Sequence, residues 1–596
     1  MTGIVGGVQT GRSLKRAVEA LSPGTPPSTW YHENGAIGLG LAYTELDQSG
    51  TATWTDGKRA GVVYGTPTNL EELGWSLEDL FERLLDRPEK TARMIEGAFA
   101  IACHSATENR HLLVTDKLGG RPVYYTEEGP LFYASSVDVL LPSLDDPETN
   151  IQAVNDMLMM GSMWGNETLV EGVRSLHPAT ILEVEDEERT LRRYWKPDYT
   201  EQPATQQYID ELARRYRQAT RRVAETLPSE AGIWLSGGLD SRTTASALLN
   251  SGSANEFTLT GYTYNANPPT NDNPELAGKV AQKLGIELRQ VPLTADLIGE
   301  NFERLIEATD GMIRWNTAAL IGSTYGTEPA PVMMEGMQGE LIGDHLYRRH
   351  LTDFSSAVES QISSETAMQP EAVKDLLDAS VDPLASLKRE ADRSPEPTVS
   401  GKVKDIHFQN YYSCVTHLSN RIMREEGSSR TPHIDGDYLE WCAQLPRQYR
   451  KGGLPIPDSV SFTSEGAIPY GTSRAKLGLI RAIDPELSEI TYERTKVKPS
   501  RPYPVHVAGF FTNVLVNKLL SNPTYANGSL PDFWIRDTES LVHKRVASLI
   551  DDACSRSLFN ADAVREAYEE QMDGKNNASL LGAITTLEYW IGTYLD

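Results

Sequence analysis

The chain is short of cysteine, of positive charge and of long apolar runs. Four cysteines occur in 596 residues, far apart and without a CxxC pair, which excludes a disulfide framework and a zinc site built on such pairs. No run of 18 apolar residues occurs, so no membrane-spanning helix is predicted. Lys and Arg total 56 against 83 Asp and Glu, and a formal net charge of −27 makes nucleic acid and anionic membranes unfavourable general partners.

The N-terminal sequence also lacks the basic stretch and apolar core of a signal peptide, so we expect a cytoplasmic protein. The acidic excess, with arginines more numerous than lysines, is typical of a host adapted to high salt. An ordinary acidic cytosolic enzyme is the alternative. At this length two or more domains are expected.

The pattern along the chain divides it into three parts. Residues 1–195 read as short apolar strands broken by turns, with few helices, and predict an α+β layered sandwich. Residues 196–207, KPDYTEQPATQQ, are polar and contain proline, and predict a linker. Residues 208–596 begin with helices alternating with compact strands, typical of an α/β parallel sheet, and become mainly helical after about residue 345.

The most informative stretch is GIWLSGGLDSRTTA, residues 232–245, in which an apolar strand runs through a glycine turn into a helix. Ligands of open α/β sheets bind beyond the carboxyl ends of strands, where the next helix offers free N–H groups to phosphate. Gly237 and Gly238 allow close approach of the backbone, Ser236 and Ser241 add hydroxyl donors, and Asp240 can hold Mg²⁺. The turn therefore predicts a nucleotide site.

This turn resembles the SGGxDS loop of the PP-loop ATP pyrophosphatases, and the segments around it resemble the asparagine synthetase family, which includes β-lactam synthetase. The resemblance covers nearly the whole chain. The segments that carry it, in order, are FAIACHSATENRHLLVTDKLGGRPVYY from 99, ETLVEGVRSLHPAT from 167, Asp272 with the following ELAGKVAQKLGIEL, VMMEGMQGE from 332, GSSRTPHIDGDYLEWCAQLPRQYRK from 427, and Arg494-Thr-Lys496.

The resemblance implies an Ntn-hydrolase-like glutaminase domain followed by a PP-loop (adenine nucleotide α-hydrolase-like) ligase domain. It implies ATP and Mg²⁺ as cofactors, with Asp240 and Glu340 as metal ligands and Lys496 steadying charge on the phosphate side. A small-molecule carboxylate and ammonia or an amine are the implied partners, and a homodimer is compatible with it. The residues expected to contact ATP are Leu235, Ser236, Gly237, Gly238, Asp240, Ser241 and Gly336.

The first domain departs from the family at its catalytic positions. The family's glutaminases have a nucleophilic cysteine where this chain has Thr2. Tyr43 stands in place of the arginine that clamps glutamine, Tyr64 in place of the asparagine of the oxyanion hole, and Glu96 in place of an aspartate on the substrate side. Because losing one oxyanion donor costs about 10²- to 10³-fold in rate, we expect this domain to be inactive as a glutaminase.

The sequence therefore predicts an ATP-dependent, AMP-forming carbon–nitrogen ligase that adenylates a carboxylate, with aspartate as the first candidate, and uses ammonia rather than glutamine. Met337 replaces a glutamate thought to handle the proton of the incoming nitrogen, which leaves the substrate open. The first alternative is a β-lactam-synthetase-like or peptide amide synthetase that uses a substrate amine. The second alternative is a non-catalytic scaffold, against which the intact SGGLDS turn argues.

Overall fold

The computed structural model describes residues 2–8, 14–21, 28–34, 37–43, 51–185, 188–252, 256–265, 272–335, 341–343, 355–450, 473–519 and 530–596. Within these ranges the first part of the chain forms two six-stranded antiparallel sheets. In spatial order the first sheet contains β10 (Val173–Ser175), β8 (Tyr124–Thr126), β9 (Phe132–Ala134), β1 (Gly3–Val8), β3 (Ile37–Tyr43) and β2 (Ser28–Asn34). The second contains β12 (Glu188–Arg193), β11 (Thr180–Glu185), β7 (Arg110–Thr115), β6 (Gly97–Ser105), β5 (Arg59–Pro67) and β4 (Ala52–Thr55).

The two sheets pack face to face around one apolar core, to which β1, β3, β5, β6 and β7 all contribute. Helices cover the outer faces, and we call this four-layered assembly of β1–β12 and α1–α5 the sandwich. Its helices are α1 (Leu14–Ala20), α2 (Leu70–Leu73), α3 (Leu77–Asp86), α4 (Pro88–Met94) and α5 (Ile151–Met160). The predicted α+β layered sheets are present.

Local sequence accounts for the helix that closes the second sheet. Ser76 caps α3 by accepting from the backbone N–H of Asp79, whose carboxylate accepts from the Ser76 N–H in return. This capping box satisfies amide groups that the first turn leaves without helical partners. Leu80, Phe81 and Leu84 then lie on one face and pack on the outer side of β5 and β6.

The irregular segment has the length of the predicted linker but lies two residues earlier in the chain. Residues 194–205 have no helix or strand, and α6 (Gln206–Ala224) begins two residues before the predicted linker ends, because the Thr205 side chain caps it. Tyr199 in this segment is buried, and its hydroxyl donates to Asp405 at 2.9 Å. The domain boundaries at 195 and 208 stay a prediction.

The second part of the chain is built on a five-stranded sheet whose strands, among the described residues, are all parallel. Its spatial order is β15 (Glu287–Gln290), β14 (Thr258–Thr263), β13 (Glu230–Trp234), β16 (Val332–Met334) and β17 (Ser428–Arg430). One face packs on α6, α7 (Leu239–Leu249) and α8 (Asp272–Leu284), and Met423 and Ile321 contact the other. The predicted alternation of strands and helices is confirmed.

The rest of the chain is mainly helical, as predicted, and much of it packs against the sandwich in a shared apolar core. The helices are α9 (Ala295–Glu300), α10 (Phe302–Glu307), α11 (Trp315–Ala318), α12 (Ala357–Glu365), α13 (Pro370–Leu376), α14 (Ala385–Arg393), α15 (Val399–Tyr411), α16 (His417–Ser419), α17 (Arg421–Glu426), α18 (Gly436–Ala443), α19 (Arg447–Arg450), α20 (Arg474–Ile483), α21 (Tyr503–Leu519), α22 (Leu530–Arg536), α23 (Leu541–Ser555), α24 (Ala561–Met572) and α25 (Ala578–Tyr594). Over the described ranges, none of the helices combines the length and apolarity needed to cross a bilayer.

Candidate active site

The turn that follows β13 is tied together by its two serines. The backbone N–H of Ser236 donates to Ser241 Oγ at 3.1 Å, and the two hydroxyls lie 3.1 Å apart. The N–H of Gly238 donates to Ser236 Oγ, also at 3.1 Å. Leu235 is buried and anchors the end of the strand through its N–H bond to the Tyr262 carbonyl. The hydroxyls therefore lie where the strand ends and the helix begins.

The carbonyl groups of the same turn are held by Arg242. Its Nε donates to the Gly238 carbonyl at 2.8 Å and its Nη2 to the Gly237 carbonyl at 2.7 Å. Burial lowers the pKa of this guanidinium to about 10. Because Gly238 is the N-cap of α7 and has no side chain to accept from the first-turn N–H groups, this helix N-terminus suits an external anion.

Asp240, the predicted metal ligand, is paired with a lysine that the sequence interpretation missed. Lys476 Nζ lies 2.9 Å from Asp240 Oδ2, with side-chain exposures of 9% and 24%. Lys476 is in the first turn of α20 on the same face as the buried Leu479 and Ile480. A lysine in the apolar stripe of an amphipathic helix was the available signal, because charged residues there are rarely buried without a partner.

Lys496 lies in a loop that contacts the glycine turn directly. The N–H of Glu493 donates to the Gly237 carbonyl at 3.1 Å, and a Cβ built on Gly237 would lie 2.9 Å from the Glu493 Cβ. Lys496 Nζ lies 2.7 Å from Asp272 Oδ2, at the start of α8. Lys496 has φ 55, the left-handed conformation, and its N–H closes a turn onto the Tyr492 carbonyl. The structure thus brings the predicted Lys496 and the glycine turn to one edge of the sheet.

This edge combines hydroxyl donors, a helix N-terminus and two lysines, each paired with a carboxylate. Such a set can hold a polyphosphate, whose oxygens would replace the carboxylates as partners of the lysines. Among the described residues no group of three or more His, Cys, Asp or Glu forms a metal site, so Asp240 would need ligands from elsewhere. The predicted Glu340, Gly336 and Met337 lie outside the described residues.

The position predicted for a glutaminase nucleophile is buried in the sandwich. Thr2 precedes β1, and its hydroxyl has no hydrogen-bond partner in the parts of the chain that are described. Ile4 and Tyr64 belong to the core between the two sheets, and Tyr43 is half-buried at the end of β3. The neighbourhood combines aromatic side chains with buried guanidinium groups, because Arg421 and Arg424 lie close enough to Tyr64 to interact with it electrostatically and the stem of Arg121 lies against Gly65.

Glu96, predicted at a substrate-side position, has both carboxylate oxygens engaged by protein groups. Its Oε1 lies 2.5 Å from Lys117 Nζ, and its Oε2 accepts from the Gly436 N–H at 2.5 Å, at the first residue of α18. Burial raises the pKa of Glu96 to about 7, although Lys117 opposes that rise. Glu96 therefore joins the sandwich to the second part of the chain.

Comparisons with known proteins match the two parts of the chain to two different families. Residues 78–195 match the family described as glutamine amidotransferase domain, and residues 211–592 match the family described as asparagine synthase. Asparagine synthetase [glutamine-hydrolyzing] 2 of Bacillus subtilis (strain 168) is 25% identical over 309 residues, which are 47% of this chain and 41% of that protein. Asparagine synthetase [glutamine-hydrolyzing] 3 of the same organism is 25% identical over 174 residues, 28% of this chain and 27% of that protein.

The matched stretches thus span less than half the length of either relative. A solved structure of glutamine phosphoribosylpyrophosphate (PRPP) amidotransferase from B. subtilis, complexed with ADP and GMP, is 11% identical with a TM-score of 0.22 and covers 49% of this chain and 85% of that one. A similarity that low carries no argument about the fold.

Proposed function

The chain belongs to the asparagine synthase family, and on that premise we propose that it is an ATP-dependent amide-forming ligase. The observation that supports this most directly is the serine- and glycine-lined turn after β13, with Lys476 and Lys496 beside it. In the proposed reaction, a substrate carboxylate attacks the α-phosphorus of ATP and pyrophosphate leaves. An amine then attacks the acyl carbon, expels AMP and loses its proton to solvent.

We assign roles in this reaction to the side chains at the edge of the parallel sheet. Ser236, Ser241 and the first-turn amides of α7 bind phosphate oxygens in the manner of a PP-loop. Lys476 and Lys496 release Asp240 and Asp272 to meet the triphosphate, and so hold the leaving pyrophosphate in line. Asp240 fits a Mg²⁺ ion, since it is a hard oxygen ligand accessible at the sheet edge, and Glu340 is the proposed second ligand. A bound Mg²⁺ would offset charge on the phosphate oxygens.

We further propose that residues 208–596 carry this chemistry and that residues 1–195 do not hydrolyse glutamine. The hydroxyl of Thr2 is a weaker nucleophile than the cysteine thiolate of the family's glutaminases. Glu96 is bonded to Lys117 and Gly436 rather than open to a ligand. The nitrogen would then come from free ammonium or from an amine on the second substrate. Aspartate with ammonium is the first pair to test.

The test is pyrophosphate release from Mg-ATP over a panel of carboxylates, each with ammonium, glutamine or a primary amine. Asp240→Asn should lose at least about 10²-fold in rate, because it removes a metal ligand. Asp210→Asn, which removes an exposed carboxylate on α6, is the matched control and should keep full activity.

The outcomes separate the candidates. Release with aspartate and ammonium but not glutamine supports asparagine synthesis from ammonia. Release only with another acid and its own amine supports the peptide or β-lactam-type reaction. If no acid raises release above the Asp240→Asn level, the ligase proposal is wrong and a scaffold is favoured.

A further inference from the structure

One side chain of the sandwich reaches into the second part of the chain. Arg121 follows β7 and is buried. Its Nη2 donates to the Ser429 carbonyl at 2.9 Å and to Ser429 Oγ at 3.3 Å, on β17. Its Nη1 lies 3.7 Å from Glu335 Oε1, so the guanidinium adds positive charge beside that carboxylate.

Glu335 directly follows β16 and is held from several sides. Its Oε1 accepts from Ser429 Oγ at 2.5 Å and from Arg424 Nη1 at 3.1 Å. Its Oε2 lies 3.2 Å from His417 Nδ1 and accepts from Asn420 Nδ2 at 3.1 Å. Only 2% of the residue is exposed. Burial would raise the pKa of Glu335, but His417, Arg424 and Arg121 together hold this pKa well below its usual range.

The position of Arg121 is fixed by a glycine within the sandwich. Gly65 has φ 97, and a Cβ built there would lie 2.9 Å from Arg121 Cγ and 3.1 Å from its Nε. The Gly65 backbone therefore lies against the stem of the arginine, and a side chain at this position would displace it. The Arg121 Nη1 also donates to the neighbouring Gly120 carbonyl at 2.9 Å. These contacts, with the bonds to Ser429, hold the guanidinium beside Glu335.

Glu335 lies at the sheet edge that carries the candidate active site. β13 and β16 are adjacent and parallel, with Ile233 opposite Met334, so the residues after each strand emerge at the same edge. Ser236 follows β13 and Glu335 follows β16. A shift at the end of β16 would therefore change the geometry beside the nucleotide turn.

We propose that Arg121 is a positioning residue of the ligase site, and that the sandwich acts on this site by placing a guanidinium on Glu335. The proposal rests on the proposed function only in naming what the site does. It gives the sandwich a role that needs no glutamine hydrolysis. Removing the Arg121 charge leaves Glu335 with Arg424 as its nearer cation, so the carboxylate stays paired while the link to the sandwich is lost.

The direct test compares the affinity for Mg-ATP, measured by calorimetry, in Arg121→Met and Arg121→Lys. Each variant is first shown by its melting temperature to be folded at the assay temperature, because a reversibly unfolded fraction would weaken the apparent affinity. Irreversibly misfolded molecules then lower only the number of sites that calorimetry reports and leave the dissociation constant unchanged. Arg121→Met should weaken binding by about tenfold, within the range by which positioning residues shift coupling, and Arg121→Lys should recover part of this. Arg110→Met removes a sandwich ion pair with Glu183 and is the matched control, expected to bind as the wild type does.

A double-mutant cycle locates the effect at Glu335. In a Glu335→Gln background, Arg121→Met should change the affinity by less than about twofold, because the charge it acts on is gone. Ser429→Ala, a smaller change in the same network, should weaken Mg-ATP binding in the same direction as Arg121→Met. It keeps the test available if Arg121→Met does not fold.

Two results would overturn the positioning role: unchanged Mg-ATP affinity in Arg121→Met or in Ser429→Ala, or an equal loss in the wild-type and Glu335→Gln backgrounds. A loss in Arg110→Met as large as in Arg121→Met would also count against it. Failure of the proposed function would be seen in a different measurement. A wild-type protein that binds Mg-ATP but turns over no acid would contradict the ligase proposal, while its Mg-ATP affinity, compared with that of Arg121→Met, would still test the role of Arg121.

Discussion

We predict that replacing His111 by leucine makes the sandwich less sensitive to acid. His111 lies on β7, is 0% exposed, and neither of its ring nitrogens has a hydrogen-bond partner among the described residues. Its ring centroid is 6.4 Å from that of His104 and 5.5 Å from that of Tyr133, both inside the sandwich. His111→Leu fills this space with an apolar side chain and removes the titrating group.

The magnitude follows from the pKa. Burial, with a smaller contribution from His104, lowers the pKa of His111 from 6.5 to about 3. Below pH 6.5 the unfolded chain therefore binds a proton that the folded chain does not, and stability falls as the pH falls toward 3. At about 1.4 kcal/mol per pH unit, going from pH 6.5 to 5 costs about 2 kcal/mol. For a domain of 150–250 residues this lowers the melting temperature by about 4–8 °C.

The assay is thermal unfolding followed by calorimetry at pH 7.5 and pH 5.0, with the same salt at both. The transition of the sandwich should drop by about 4–8 °C more in the wild type than in His111→Leu. Some pH dependence should remain in the variant, because burial also lowers the pKa of His104. Asn34→Leu, at a half-buried position on β2, removes no titrating group; it is the control, and its pH dependence should follow the wild type. Equal drops in the wild type and His111→Leu would refute the reasoning.

Three further predictions concern the candidate active site, Thr2 and the buried pair of Lys117 with Glu96. Lys476→Met should lower kcat/KM for pyrophosphate release by about 10²-fold or more, with Lys476→Arg retaining part; an unchanged value would remove Lys476 from the site. Thr2→Cys should form no more glutamate from glutamine than the wild type in a coupled assay, because Glu96 stays engaged; a clear rise would show an intact substrate site. Lys117→Met should destabilise the protein by about 3–5 kcal/mol above pH 7, where Glu96 is charged, and by less at pH 6. The double variant Lys117→Met with Glu96→Gln should recover the melting temperature, and no recovery would contradict the pairing.

The sequence predicted those strands and helices that have a clear local pattern of apolar and capping residues. β6 and β13 are built mainly from apolar residues, and α3 has a capping box and an apolar face, so both kinds of element could be predicted locally. β15 and β17 could not, because ELRQ and SSR have no apolar pattern and become strands only by pairing with β14 and β16. Tertiary pairing overrides local preference at such edges.

The candidate active site also has one part that could be predicted from local sequence and one part that could not. The Ser236–Ser241 turn is contiguous, and its glycines and hydroxyls are enough to predict a phosphate site from six residues. The pairing of Asp240 with Lys476, by contrast, joins residues 236 positions apart, and nothing near either residue indicates the other. Arg121 and Glu335 are also far apart in the sequence. Ion pairs of this kind follow from the packing of whole domains.

The bonds of Glu96 also bear on what it would take to give the sandwich a glutamine site, under the proposal that it does not hydrolyse glutamine. A variant with this carboxylate facing a ligand would first have to give up its bonds to Lys117 and to the Gly436 amide. Each intermediate along that route would leave a buried cation or a buried N–H without its partner, which is costly. Such a change would thus require several substitutions at once, so the engaged state of Glu96 is protected by the stability of the sandwich.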